Sequence, residues 1–474
     1  YGAKSNVGLW KWYKGMTQPI AYGDDTTYKL GAKFLSDCKT IEDWGCGTAY
    51  FSNFMHKDQA YRGIDGSHSN FVSEIHDLTT YVSPDKPDGI FMRHILEHNH
   101  NWKPILQNAL SSFGKKFVLV FFTPLTTQPT KILVENIEPP VPDISFCIYD
   151  ILEFLKLYKF NVEEVRTNTQ YGVEHIFYVE HQSKQLDTTI VVPTYNHLDD
   201  ALKICLDKLF QHTHMFNKEI IVVSNGSTDG TKEYLESLGD KIRYVFVQEP
   251  IGYIRAVNWG IASSNSKYTV LIDNDSFLMD QQMDQWIHIL QKPFLDQPDV
   301  GATSPFATWY EELGTVLHSG CTMYDTERLK QVGMFDEIYN PGYLSDSDVS
   351  MKLVRAGYQC LEVPASNLDK RYEKGVFRIN FPVMHLGDVQ TMDKVKDVKI
   401  IEKNKEILYN RYGKKNMSIK YSIVIPTYNH CDDLLVPCVE SILQHTDMSN
   451  VEIIIVANGC TDGTKYFAEA LGQQ

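Results

Sequence analysis

The sequence predicts an α/β chain built in three successive parts. Short β-branched runs such as Ile190-Val-Val192 and Lys116 to Phe122 alternate with segments of helical periodicity. The strands run into glycine- and asparagine-rich turns, among them Gly45-Cys-Gly47 and Asn225-Gly-Ser-Thr-Asp-Gly230. One strand-turn-helix-strand block also occurs twice.

The first part, residues 1–183, opens its sheet with a strand at Thr40 to Trp44 that enters the Gly45-Cys-Gly47 turn. A second strand, Tyr61 to Ile64, ends at Asp65, and Asp88 to Met92 and Lys116 to Phe122 follow. A helix at Tyr149 to Leu157 precedes a closing hairpin of Phe160 to Val165 with His175 to Val179. The polar stretch Gln182 to Leu186 links it to the second part, residues 184–401.

That second part begins with the buried strand Ile190 to Val192, which Pro193-Thr-Tyr-Asn196 ends in a turn. Leu202 to His212 has helical periodicity, and Glu219 to Val223 is the next strand. Two strands joined through a helix form a right-handed crossover in a parallel sheet. Ligands then sit beyond the carboxyl ends of the strands, where both turns lie.

Thr189 to His197 returns as Ser422 to His430, and Ile220 to Lys232 as Ile453 to Lys465. The offset is constant: 426 − 193 = 233 and 458 − 225 = 233. Roughly 30 of about 50 aligned positions are identical, far above chance for one supersecondary unit. Residues 402–420, rich in Lys and Asn, are expected to link the copies, and residues 421–474 to form a partial second unit. Because that unit stops at Gln474 and the chain starts at Tyr1, the sequence is expected to be part of a longer or processed protein.

Composition narrows the function. The 474 residues carry a net charge of −15, which argues against nucleic acid as the main ligand. Nine scattered cysteines with no CxxC pair argue against a zinc site or disulfide framework and for a reducing compartment. The longest apolar runs, such as Phe117 to Phe122, fall far short of the roughly 18 residues a membrane span needs. With no secretory leader visible, a cytoplasmic location is expected.

The richest chemistry lies in the second part. Tyr268 to Ile272 is an apolar strand running into Asp273-Asn274-Asp275. Two carboxylates at a strand end can hold a hard cation against phosphate oxygens, though a solvated acidic turn has the same pattern. The set Pro193 to Asn196, Asn225 to Thr231, Gly252-x5-Asn258-x-Gly260, Asp273-Asn-Asp275, Gly333 to Glu337 and Asp346-Ser-Asp348 occurs in this order. It resembles the family 2 glycosyltransferases of the GT-A fold.

The resemblance implies an inverting transfer from a nucleotide-diphospho-sugar with Mg²⁺ or Mn²⁺. By position, Pro193, Thr194, Tyr195, Asn196, Ser224, Asn225, Asp273 and Asn274 would line the nucleotide-sugar pocket. Asp275 and His385 would serve the metal, and Asp346 would be the catalytic base. His385 is equally readable as a structural histidine. Two positions depart from the family: Ser224, with Ala457 as its counterpart in the second copy, replaces an acidic residue that often contacts the nucleobase, and Ser345 replaces the Glu before Asp346, which is not the catalytic base. The second copy reaches no acidic pair and no base, so it is a partial GT-A unit without a catalytic set.

In the first part, Asp43-Trp-Gly-Cys-Gly47 suits either a dinucleotide or S-adenosylmethionine, because a glycine turn at a helix start favours close approach of a ligand. The segment has Tyr50 where a third glycine would complete a dinucleotide fingerprint. With Asp65, Asp77 and the Ile95-Leu-Glu-His98 segment it resembles the class I S-adenosylmethionine-dependent methyltransferases. The resemblance implies a Rossmann-like domain with Asp43, Gly45 and Gly47 at the methionine end of the cofactor, Asp65 at the ribose and Asp77 at the adenine.

The expected whole is a glycan-assembly enzyme acting on a glycan, glycolipid or glycoprotein acceptor, with O-methylation of a sugar hydroxyl. The alternatives are a glycan- or nucleotide-binding scaffold with degenerate sites, or a methyltransferase for a non-glycan acceptor.

Overall fold

A computed structural model describes residues 6–137, 139–310, 314–363, 371–373, 376–378, 381–385, 394–412, 421–446 and 451–471. It divides into two compact units: residues 1–308 with 317–394, and residues 309–316 with 395–474.

The first unit is organised by one mixed sheet. Its early strands are β1 (Thr40–Trp44), β2 (Ala60–Asp65), β3 (Glu74–Ile75), β4 (Gly89–Arg93) and β5 (Lys116–Phe121). A small pair, β6 (Lys131–Glu135) and β7 (Pro142–Ser145), stands apart. The hairpin β8 (Tyr158–Arg166) and β9 (Val173–His181) follows. Then come β10 (Thr188–Thr194), β11 (Lys218–Asn225), β12 (Arg243–Val247), β13 (Tyr268–Ile272), β14 (Ser276–Leu278) and β15 (Val300–Ser304). β18 (Cys321–Asp325), β19 (Gln359–Glu362), β20 (Arg371–Glu373), β21 (Val376–Arg378) and β22 (Val383–His385) complete its strands, while β16 (Ala307–Tyr310) and β17 (Gly314–Leu317) pair with each other and include residues of the 309–316 segment that belongs to the second unit.

Fourteen of the described strands form one sheet in the order β19-β15-β18-β13-β10-β11-β12-β8-β9-β5-β4-β1-β2-β3. The sheet runs on across the expected boundary near residue 184, because β8 pairs in parallel with β12, Val245 opposite Val162 and Phe246 opposite Glu163. β9 is antiparallel to both β8 and β5, and β5, β4, β1 and β2 are parallel. β10 to β13 are likewise parallel to one another and to β8. The carboxyl ends of β1, β2 and β4 and those of β10, β11 and β13 therefore lie along the same edge. One apolar cluster bridges the two halves, joining Trp44, Phe121 and Phe177 to Val223, Val245, Ala256 and Trp259.

Packing explains the spacing of the glycines in Gly252-x5-Asn258-x-Gly260. The helix Tyr253–Ala262 lies on β10, and a Cβ at Gly260 would come within 2.2 Å of Val191 Cγ1. Gly252 has φ +92, and a Cβ there would meet the Asn340 side chain at 2.3 Å. Only glycine permits both that conformation and that approach.

In the second unit β23 (Tyr421–Thr427) pairs in parallel with β24 (Val451–Ala457). The register repeats that of the first copy: Pro426 faces Val456 and Thr427 faces Ala457, as Pro193 faces Val223 and Thr194 faces Ser224. β10 is buried along its length, whereas Tyr421, Val424, Ile454 and Val456 are exposed. Residues 402–412, expected as linker, close the helix Lys394–Tyr412, where Asn404, Leu408 and Tyr412 share one buried face at a spacing of four. The rest of that expected linker, 413–420, lies outside the described residues. No helix among the described residues is long and apolar enough to cross a membrane.

Candidate active site

The carboxyl ends of β10, β11 and β13 converge on one cluster. β13 ends at Ile272 and delivers Asp273, Asn274 and Asp275 into the turn before β14. β14 pairs with β22 so that Ser276 faces His385, which places the imidazole beside Asp275. One ligand atom each from Asp273, Asp275 and His385 lies within 4.8 Å of the others. His385 Nε2 is 3.3 Å from Asp275 Oδ1 and 3.9 Å from Asp273 Oδ2. Two carboxylate oxygens and one imidazole nitrogen suit a divalent ion such as Mg²⁺ or Mn²⁺.

Asp273 is fixed from two sides. Tyr253 donates its hydroxyl to Oδ1 at 2.8 Å, and the Gly320 amide donates to Oδ2 at 3.0 Å. Burial, followed by the charge of Asp275, pushes its carboxyl up to about 6, while His385 pulls the other way. A carboxylate crowded by another in a dry site gains from a cation between them.

Asp346 enters from the first turn of the helix Ser345–Arg355. Its Oδ2 accepts from the Ser319 amide at 3.3 Å and lies 3.4 Å from His318 Nδ1, and its Oδ1 accepts from the Ser347 amide at 2.8 Å. Burial alone would raise this carboxyl. The His318 imidazole and the two amides outweigh it and hold Asp346 below the usual carboxylate range.

The turn after β10 supplies the remaining residues. Thr194 Oγ1 accepts from Asn274 Nδ2 at 3.0 Å, which ties the two strand ends together. Asn196 has φ +54, and its Oδ1 accepts from the Thr228 amide at 2.8 Å. Asn225 Oδ1 accepts from the Ile251 amide at 2.7 Å and from that of Gly252 at 3.2 Å, pinning the start of the helix behind the site. Pro193 is buried within β10, and Tyr195 is 47% exposed. Ser224 is fully buried in register with Thr194, and its hydroxyl has no partner among the described residues.

Sequence reasoning missed Tyr253, His318, Ser319 and Gly320. Tyr253 directly follows the first glycine of a recognised motif. The His318-Ser-Gly320 turn precedes β18, and Gly320 has φ +61. These residues act through two backbone amides, one hydroxyl and one imidazole, which no short pattern advertises.

A separate cavity opens at the ends of β1, β2 and β4. Asp43, Gly45, Gly47, Asp65 and Asp77 all line it, together with Trp10, Tyr13, His94 and His98. Gly45 and Gly47 have φ +75 and +53. Asp65 accepts from the Gly47 amide at 2.8 Å and the Ser67 amide at 2.7 Å, so the second strand's acid braces the glycine turn. Asp43 accepts from the Tyr61 hydroxyl at 2.9 Å, and burial raises its carboxyl to about 7. Asp77 caps its own turn, accepting from the Thr79 amide at 2.9 Å.

A strand-end acidic pair with a histidine, a second anchored carboxylate and an asparagine-rich turn thus gather at the carboxyl ends of β10, β11 and β13. The profile of "Glycosyl transferase family 2" matches residues 189–333 and again 422–474, so a glycosyltransferase domain of that family is supported here, with the repeat carrying the second match.

An uncharacterized glycosyltransferase of Rickettsia typhi is 31% identical over 192 residues, 35% of this chain and 58% of that protein. Glycosyltransferase GlyA of Streptococcus pneumoniae is 26% identical over 155 residues, 32% of this chain and 21% of that protein. The chain thus spans little more than half of the first relative and a fifth of the second. A solved mannosyltransferase from Pyrobaculum calidifontis, in complex with GDP-Man and Mn²⁺, is 21% identical with a TM-score of 0.32, over 39% of this chain and 56% of that one.

Proposed function

We propose that the module spanning residues 184–401 transfers a sugar, with inversion, from a nucleotide-diphospho-sugar to a glycan hydroxyl. The observation that carries this is the convergence of Asp273, Asp275 and His385 beside Asp346. The nucleotide end of the donor lies against Thr194, Tyr195 and Asn196, with Asn225 and Asn274 bracing that turn. Asp275 and His385 would hold Mg²⁺ or Mn²⁺, with Asp273 alongside. When bound, that ion neutralises the charge that develops on the leaving diphosphate.

Asp346 takes the proton of the acceptor hydroxyl as that oxygen attacks the anomeric carbon. It stays charged because His318 and two amides stabilise the carboxylate. Tyr253 and the Gly320 amide keep Asp273 aimed into the site without using its whole acceptor capacity. The experiment is metal-dependent release of nucleoside diphosphate from a panel of nucleotide sugars. Absence of release from every donor, with the protein folded, would point instead to a binding scaffold, which the buried, neutral Ser224 also fits.

The module of residues 1–183 is proposed to bind S-adenosylmethionine and to O-methylate a sugar of the same glycan. Two features support this. The five residues named for the methyl donor line one cavity, and the closing hairpin with β9 reversed against β5 suits the methyltransferase class. Because β8 and β12 share a sheet, both sites open along one edge, which raises the effective concentration of a common acceptor. Calorimetric binding of S-adenosylhomocysteine tests the cofactor.

A further inference from the structure

Three histidines follow β4, and their environments separate them. His94 is partly buried with its Nε2 3.1 Å from Glu174 Oε1, inside an ion network that Arg93 completes at 2.7 Å. Burial and the Arg93 charge push its imidazole down to about 3, which makes it a weak proton acceptor, and its Nε2 is turned to Glu174. His100 is half exposed, 3.6 Å from Glu135, and lies outside the cavity wall.

His98 shares the cavity wall with His94 but has a different set of partners. It lines the cavity at the ends of β1, β2 and β4. Its Nδ1 lies 3.0 Å from the Pro142 carbonyl oxygen and 3.3 Å from Asp143 Oδ1. A carbonyl oxygen can only accept, so Nδ1 carries the proton and the lone pair of the neutral ring is on Nε2. Asp143 is itself buried and held by Asn136 Nδ2 at 3.0 Å. The ring packs against Phe122 at 5.3 Å and meets the edge of Trp10 at 5.6 Å, which fixes its plane. An imidazole oriented by a second residue, itself oriented by a third, is the arrangement of a general base.

We propose that His98 is the catalytic base for methyl transfer to a sugar hydroxyl, with Asp143 and Asn136 as its positioning residues. This rests on the reading of the cavity as a methyl-donor site. As the acceptor oxygen forms its bond to the methyl carbon, the carbon–sulfur bond of the sulfonium breaks and sulfur keeps the electron pair. The hydroxyl proton passes to His98 Nε2. The products are a methyl ether, S-adenosylhomocysteine and an imidazolium.

The test uses the full chain with labelled S-adenosylmethionine and a panel of methyl glycosides as acceptors. S-adenosylhomocysteine binding is measured by calorimetry on the same samples. Expected are methylation of at least one glycoside and a fall in kcat of about 100-fold or more in His98→Gln, with S-adenosylhomocysteine affinity unchanged. Asp143→Asn should lower kcat less. Imidazole ¹⁵N spectra at pH 9 should show the proton of His98 on Nδ1. Methylation within threefold of wild type in His98→Gln, an Nε2–H tautomer, or cofactor binding with no glycoside methylated would each overturn the proposal. Failure of the wild type to bind S-adenosylhomocysteine would instead remove the methyl-donor reading beneath it.

Discussion

Asp273 and Asp346 accept from consecutive backbone amides, Gly320 at 3.0 Å and Ser319 at 3.3 Å. One turn thus sets the spacing between the acid proposed to face the cation and the acid proposed to take the proton. Asp346→Asn keeps the shape and removes the base. Sugar transfer should fall by about 100-fold or more, while donor binding, followed by calorimetry, stays within a few-fold. Near-normal turnover in this variant would rule out Asp346 as the base.

Metal binding should depend on the opposing pair at the end of β13 and β22. His385 Nε2 and Asp275 Oδ1 are only 3.3 Å apart, close enough for one ion to engage both. Asp275→Ala and His385→Ala should each weaken Mn²⁺ binding by about 10-fold or more and abolish metal-dependent diphosphate release. Binding of Mn²⁺ at unchanged affinity in both variants would place the ion elsewhere.

The pH profile of sugar transfer should carry the signature of His318. Burial pushes Asp346 up, and His318 with the amides of Ser347 and Ser319 more than reverses this. The base must be charged to act, so a lowered carboxyl puts the acid limb of the profile below the ordinary carboxylate range. His318→Ala removes the first of the opposing influences, and the limb should move to higher pH by about one unit. An acid limb unmoved by His318→Ala would assign it to another group.

At the other end of the sheet, Gly47 has φ +53 with the Tyr13 hydroxyl oxygen at 3.2 Å from a would-be Cβ. A β-branched side chain there is strained and crowds the cavity. Gly47→Val should abolish S-adenosylhomocysteine binding and leave diphosphate release from the sugar donor unchanged. Loss of both activities would show that the two modules fold as a unit through β8 and β12.

The strands were legible because each is a short apolar run that ends in a turn: β1 begins and ends where Thr40 and Trp44 predict it. The repeat register was legible too, since identical residues pair identically in β10–β11 and β23–β24. The shared sheet was not. Val162 and Val245 look like any buried strand residues, and nothing in their identity says that they pair with each other. Within the site, Asp273, Asp275 and Asp346 stood out as charged residues at strand and helix ends. His318 and Tyr253 did not, because their roles depend on the fold bringing them to carboxylates 28 and 20 residues away: 346 − 318 = 28 and 273 − 253 = 20. The helix Lys394–Tyr412 was hidden by its surface charge, since among its described side chains the buried face is marked by Asn404, Leu408 and Tyr412.

Asn258 shows how a motif residue can serve the site without touching it. Its side chain is buried and closes two hydrogen bonds with one backbone residue: Nδ2 donates to the Phe335 carbonyl at 2.7 Å, and Oδ1 accepts from the Phe335 amide at 3.0 Å. The turn so anchored carries Glu337, which accepts from Arg255 Nε at 2.9 Å on the same helix and from Thr127 Oγ1 of the first module at 2.7 Å. Asn258→Ala would leave a buried amide and carbonyl without partners, costing about 2–4 kcal/mol. Asn258→Asp would keep the acceptor but set a carboxylate against the Phe335 carbonyl, and should cost more. Both should lower the thermal midpoint, the aspartate variant further, while diphosphate release measured well below that midpoint stays close to wild type. Loss of activity without loss of stability would mean that Asn258 contacts the donor directly.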